Sequence, residues 1–396
     1  MVPATERAET SPTRLEMKSA RRQLMLRDGL LFLSLTVVTL FMAGVTTLLF
    51  RSFESHRETL ARDAASRGRA ALQHGRAAEA VEDFRSALEY RRGDRDVQLA
   101  LARALAASGR ADQAESYFLN LWQAQPGDGS INLELARLKR QQEKPLDTIQ
   151  YYRAAVFGTW AGDAPKRRRD IRLELSEYLI SIGQPKAARA ELLIVSGNNP
   201  DAATQLKIAE LLEEAGDAND ALSDYRNAAA DPKTGVQAQL NIAELCFGMG
   251  DYVCAERAAT KWMEHAGNDA EARHRMTTIA HDSARLQELS VSPALPAVQR
   301  ARHLLADSRI AQTRLAECLA TRPSPELSSL QAEWKMLDTT KNRNALRHDD
   351  VVSEHYTTAL FATEHAVTAA CGAAEEDDAL LLYLEAHPAI VVERQP

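Results

Sequence analysis

The chain has 396 residues, too many for one small core and enough for an anchor plus an extended or two-part folded region. A net charge of −7 offers no global basic face to nucleic acid, and 45% apolar residues with only 6% aromatics suit stacked helices better than sheets. Residues 1–27 read as a basic tail rich in Thr, Glu, Ser and Arg, with its first part expected to be disordered.

Gly29–Phe50, GLLFLSLTVVTLFMAGVTTLLF, carries no charge and is bounded by Asp28 and Arg51. At about 1.5 Å per residue it is long enough to cross a hydrocarbon layer of about 30 Å. The rival reading is a cleaved signal peptide, whose apolar core is shorter, about 7–15 residues, and ends in a small-residue cleavage site. This stretch is longer and closes on Leu48, Leu49, Phe50 and Arg51, so it is expected to be a transmembrane helix. Arg14, Lys18, Arg21, Arg22 and Arg27 precede it closely, whereas residues 51–65 hold only Arg51, Arg57 and Arg62. That bias places the N-terminus in the cytoplasm and the long C-terminal part outside it. Counting Arg67 and Arg69 removes the margin, although both are expected to lie in a folded helix.

Beyond the span the sequence repeats. GRAAEAVEDF starts at Gly75 and GRADQAESYF at Gly109, 34 residues on, with later copies at Gly183, Gly216 and Gly250. A sixth copy, EKPLDTIQYY, has Glu143 in the glycine's place, and an extra six residues containing Trp160 follow it. Apolar residues recur at helical spacing on both sides of each Gly-containing break, so each unit is a helix pair whose glycine ends the first helix in the left-handed conformation. Pro126, Pro200, Pro232 and Gly267 mark unit ends.

These residues resemble the tetratricopeptide repeat (TPR) across 61–268. In that family a small residue of the first helix packs on a small one of the second. Gly68, Ala102, Ala136, Ser176, Ala209 and Ala243 hold the first place, and Ala80, Ala114, Thr148, Ala188, Ala221 and Ala255 the second. A large residue follows four later as Phe84, Phe118, Tyr152, Leu192 and Tyr225, while Ala259 breaks the pattern in the sixth unit. The resemblance implies an all-α, right-handed solenoid in which the first helices line a concave groove that binds protein segments. One inward place reads Ala65, Leu99, Leu133, Leu173, Leu206 and Leu240, and the next turn reads Arg69, Arg103, Arg137, Glu177, Glu210 and Glu244. A groove with an apolar floor and opposite charge at its two ends would suit a peptide of complementary polarity. The alternatives are that these charges solvate the surface, or that Arg137 and Glu177 pair. The apolar place argues against the carboxylate-clamp type of repeat.

From residue 269 to 396 a degenerate seventh unit near Ala270 gives way to a helical capping bundle, with helices expected at 297–321, 325–342, 350–372 and 375–387. Ala316, Leu319 and Ala320, and Tyr356, Leu360 and Val367, mark its apolar stripes; Ala373–Asp378 reads as a solvated acidic helix start. Cys246, Cys254, Cys318 and Cys371 lack both C-x-x-C and a His at ligand spacing, which argues against a structural zinc. Their plainest reading is four small buried hydrophobes, with disulfides permitted and Cys246 and Cys254 able to face each other across a turn. His348, Asp349, Asp350, Glu354 and His355 begin a helix and lack a metal spacing, and Lys166–Arg169 reads as a solvated helix start. Neither nucleotide-binding nor hydrolase motifs occur. The expectation is therefore a non-catalytic scaffold or assembly adaptor for envelope proteins in a bacterial inner membrane. It would bind proteins or peptides, without nucleic acid, small-molecule substrate, metal or cofactor. The rival is an accessory subunit of an envelope-biosynthesis enzyme with cytoplasmic repeats.

Overall fold

The computed structural model describes residues 14–265, 269–372 and 376–390. The fold is all-α and of the tetratricopeptide-solenoid type, and it forms two compact units, Met1–Gly162 and Asp163–Pro396.

The first unit holds three helix pairs: α1 (Arg14–Gln73) with α2 (Ala77–Tyr90), α3 (Arg95–Ala107) with α4 (Ala111–Ala124), and α5 (Gly129–Gln141) with α6 (Pro145–Phe157). Helix α1 has 60 residues and is continuous from Arg14, inside the segment expected to be a tail, through the apolar stretch into the first pair. Its apolar part is long enough to cross a membrane and is not covered by the rest of the protein. Within it the hydroxyls of Thr46 and Thr47 donate to the carbonyls of Met42 and Ala43, both at 2.7 Å, so these polar groups need no water.

Helices α3 and α5 start the same way. Asp94 and Asp128 stand at the N-caps, their carboxylates accepting from the first-turn amides. Each pair then turns through one residue at positive φ, with a backbone bond from the next residue back to the first helix. Arg76 N donates to Ala71 O at 2.9 Å, Arg110 N to Leu105 O at 2.9 Å and Lys144 N to Lys139 O at 3.0 Å. Gly75 and Gly109 take this place at φ of 74° and 79°, and Glu143 takes it at 55°. A side chain there carries a steric cost that glycine does not. The inserted residues fold back on the loop before α5, where Thr159 N donates to Gly127 O at 2.8 Å, and onto the end of α6, where Trp160 Nε1 donates to Ala155 O at 2.9 Å.

The second unit begins with three more pairs: α7 (Ala164–Ser181) with α8 (Pro185–Ser196), α9 (Ala202–Glu214) with α10 (Ala218–Ala228), and α11 (Gly235–Met249) with α12 (Tyr252–His265). Gly183, Gly216 and Gly250 supply the left-handed turns. All twelve small residues singled out by the register are buried, Gly68 and Ala102 through Ala255 alike. A Cβ built on Gly68 would stand 2.8 Å from the Phe84 ring, which shows how closely the first two helices approach. Ala259, the break in the large-residue place, is also fully buried, and Trp262 fills the core beside it.

Helix α13 (Ala270–Leu289) packs on α12 and then on α18 (Glu376–Ala386), so the expected seventh unit is one long helix without a partner of its own type. The bundle is α14 (Ala297–Thr321), α15 (Pro325–Leu337), α16 (Thr340–Ala345), α17 (Asp350–Cys371) and α18. Its helices fall close to expectation, except that 325–342 breaks after Leu337, where Asp338 ends α15 and Thr339 caps the start of α16. The buried stripe of α14 is Ala301, Leu304, Ala311, Leu315 and Cys318, whereas Ala316 and Ala320 are exposed; Tyr356, Leu360 and Val367 are buried as expected. The cysteines are not four separate hydrophobes. Cys246 is bonded to Cys254 between α11 and α12, and Cys318 to Cys371 between α14 and α17. Asp377, expected to be solvated, accepts two hydrogen bonds from Arg285 Nη2 at 2.8 and 2.9 Å. Residues 373–375 of that acidic start lie outside the described residues.

Candidate functional site

The row of first helices is the surface the sequence singles out. In the first unit α3 touches both α1 and α5; in the second, α7 touches α9 and α11 touches α13. Ala65 and Leu133 are buried, and Leu99 is half-buried against the first unit's core. Leu173, Leu206 and Leu240 are half-buried against the core of the second. Leu99, Leu173, Leu206 and Leu240 thus have one face in the core and one at the surface, which is the condition for an apolar floor, whereas Ala65 and Leu133 belong to the interior.

The charged row is not bare. Arg103 Nε donates to Glu134 Oε1 at 2.8 Å, and Arg137 Nη1 lies 3.9 Å from the same carboxylate. In the second unit Glu177 pairs with Lys207 at 3.0 Å and Glu244 with Arg275 at 3.3 Å. Arg69 and Glu210 are exposed. The pairing has a rule. Glu134 and Lys207 stand three residues before Arg137 and Glu210, the charged places of their own helices, and each meets the charged residue on the first helix of the preceding pair. Following one column of the repeat misses this; reading the column three residues earlier in the next unit reveals it. Pairs this exposed contribute roughly 0–1 kcal/mol to stability, and they reduce the charge the row presents to a ligand.

Other titratable groups are structural. Buried Lys139 reaches Glu115 Oε1 at 2.6 Å, and with Gln142 it holds the Glu115 carboxyl below its usual range. Cys246, Asp251 and Cys254 lie together, but the two sulfurs are bonded to each other and Asp251 Oδ1 accepts from Cys254 N at 3.0 Å, so the set is not presented to a metal. In the stretch His348–His355, Asp349 caps α17 and Asp350 pairs with Arg300 at 2.5 Å. Lys166 and Arg169 of the basic run lie 3.8 Å from Asp170.

The tetratricopeptide-repeat family model matches residues 71–138, from the end of α1 into α5. No curated protein matches the chain. Among solved structures, PilF of Pseudomonas aeruginosa is 16% identical, with a TM-score of 0.39 over 56% of this chain and 99% of its own. PilW, described as a widely conserved type IV pilus biogenesis factor, is 15% identical, with a TM-score of 0.39 over 55% of this chain and 98% of its own. A tetratricopeptide repeat protein from Parabacteroides merdae is 13% identical, with a TM-score of 0.38 over 58% of this chain and 91% of its own.

Proposed function

We propose that the chain is a non-catalytic adaptor or assembly scaffold for envelope proteins. It is held in a bacterial inner membrane by Gly29–Phe50, with its N-terminus cytoplasmic and its helix pairs outside the cytoplasm. The observation that carries this reading is that all four cysteines are paired in the second unit. Disulfides persist in oxidising compartments and are rare in a reducing cytosol, so the pairing supports the same side of the membrane as the Lys/Arg bias before Asp28. Stacked helix pairs with a half-buried leucine row support binding of extended or helical segments. The paired charges shift the expected weight from the Arg and Glu row to the leucines. The reading with cytoplasmic repeats, as an accessory subunit of an envelope enzyme, has the disulfides against it.

Reporter fusions after Pro396 test the topology. The expected result is an active periplasmic reporter together with cysteines that resist alkylation until reductant is added. An active cytoplasmic-only reporter with freely alkylated cysteines would reverse the topology and promote the accessory-subunit reading. The row is tested by reversing Arg69, Arg103 and Arg137 to Glu and repeating a crosslinking pulldown. Circular dichroism is expected to stay unchanged while capture falls. An unchanged partner set from a folded variant would remove this row from the binding surface.

A further inference from the structure

A second surface lies beside the turn of the sixth helix pair, at Gly250. Its wall is built by the end of the described chain. After α18 the chain runs without helix through Pro388, Ala389 and Ile390, and Ile390 N donates to Gly250 O at 3.1 Å. Tyr252 Oη donates to His387 O at 2.7 Å. The His387 ring stacks on Tyr383 at 4.3 Å, and Tyr383 stacks on Phe247 at 5.5 Å. The strap sits so close that a Cβ on Gly250 would stand 2.8 Å from Pro388 O. Between strap, α12 and the α13–α14 connection lies a cavity of about 670 Å³.

Its chemistry is lopsided. Val253 and Ile390 are exposed within it, and Leu295 adds to the apolar lining. Arg226, Arg257 and Lys261 also line it, all three exposed, and among the described residues none is within ion-pair distance of a carboxylate. Among the described residues Asp251 is the one carboxylate in the lining, and it is occupied in capping α12 through Cys254 N. Arg257 and Lys261 are four residues apart on one helix and so stand on one face. The Cys246–Cys254 disulfide fixes the wall beside them.

We propose that this cavity binds an acidic peptide segment with apolar side chains, supplied by a partner protein. The apolar lining takes the side chains, and the three cations take carboxylates that none of the described residues supplies. The inference rests on the adaptor reading but names a surface that reading does not use. An extended ligand with alternating apolar and acidic residues fits best, because successive side chains point to opposite sides and can meet lining and cations separately.

The test uses the full chain in detergent and a fluorescein-labelled heptapeptide alternating valine with glutamate, with the valine–lysine peptide as its counterpart. Fluorescence anisotropy should show the glutamate peptide binding about tenfold or more tightly than the lysine peptide. Arg257→Glu with Lys261→Glu should reverse that preference while circular dichroism is unchanged, because both side chains are exposed. Arg257→Gln with Lys261→Gln should fall between. The proposal is overturned if the two peptides bind alike, if neither binds, or if the reversal leaves the preference intact. It is also overturned if Arg69→Glu, Arg103→Glu and Arg137→Glu abolish binding instead, an outcome that places the peptide on the leucine row and leaves the adaptor reading standing. Deleting residues 391–396 should leave affinity unchanged; a tenfold gain would make the chain's own terminus the occupant. The adaptor reading itself fails separately, if the wild-type chain captures no partner by crosslinking.

Discussion

In the six helix pairs, the buried positions where two helices cross are nine alanines, one serine, one threonine and one glycine, and they are met from the other helix of the same pair, as Gly68 is by Phe84. In the bundle from α13 to α18 the interior includes His303, Asp307, Ser308, Arg314, Thr363 and Glu364. Arg314 Nη1 reaches Glu364 Oε2 at 2.6 Å and its Nη2 reaches Gly372 O at 3.1 Å, so one guanidinium ties α14 to α17 and to the turn after it. Trp334 Nε1 donates to Thr363 Oγ1 at 2.8 Å, tying α15 to α17. The disulfides follow the same division: Cys246–Cys254 spans 8 residues and closes one helix pair, while Cys318–Cys371 spans 53 and joins two long helices. The repeats also bury Lys139 on Glu115 and Asp224 on Ser196, but their crossings rely on shape because every unit meets a copy of itself. The bundle has no copy to meet, and directional polar contacts and a long-range crosslink select its arrangement.

The largest expected effect strikes the bundle. Arg314→Met removes the guanidinium from the fully buried Glu364 carboxylate and should cost about 3–5 kcal/mol, measured by denaturant unfolding. A loss below about 1 kcal/mol would mean that the bundle, like the repeats, is held by shape. Next comes pH. Burial, with Asp377 nearby, pushes the Asp307 carboxyl up to about 8. The native state therefore holds this proton where the unfolded chain, with a carboxyl near 4, has released it. That contribution is full below about pH 4 and is lost progressively as pH rises to about 8, amounting to roughly 4 kcal/mol between pH 4 and 7. Asp307→Asn should flatten that slope in pH-dependent melts; an unchanged slope would assign it to other groups.

In the repeats, Ala209→Leu should overpack a fully buried crossing and cost about 1–3 kcal/mol. Thermal unfolding matching the parent would contradict the register. The smallest effect is a gain. Glu143 holds a left-handed backbone at φ 55° where five other pairs have glycine, so Glu143→Gly should relieve strain and raise stability by up to about 1 kcal/mol. Destabilisation there would mean that the Glu143 side chain makes a compensating contact.

What could be read from the sequence divides along the same line. The register placed Ala102, Thr148 and Ala243 at buried crossings, and it found Glu143 in the left-handed turn, because a repeat states each constraint six times. The bundle states each constraint once. Cys318 and Cys371 are 53 residues apart, and neither has a local feature naming the other. Asp377 looked solvated because Arg285 reaches it from 92 residues away. The α14 stripe was misplaced because a helix packed on two sides blurs the apolar period that one-sided burial makes clear. At the candidate groove the half-buried leucines followed from the register, but the pairing of Arg103 with Glu134 crosses from one unit to the next and is invisible within a single column.

Helix α1 has a mechanical consequence. No glycine or proline interrupts it between Gly44 and Gly68, so no hinge separates the apolar stretch from the first crossing with Phe84. With Gly29–Phe50 in a bilayer, the first pair has neither free swivel nor free height. Inserting one residue near His56 would turn that pair by about 100° about the helix axis and raise it by about 1.5 Å, whereas inserting seven would restore its facing within about 20° at a greater height. With that anchor in place, the direction in which the first pair faces is written into the residue count of a single helix.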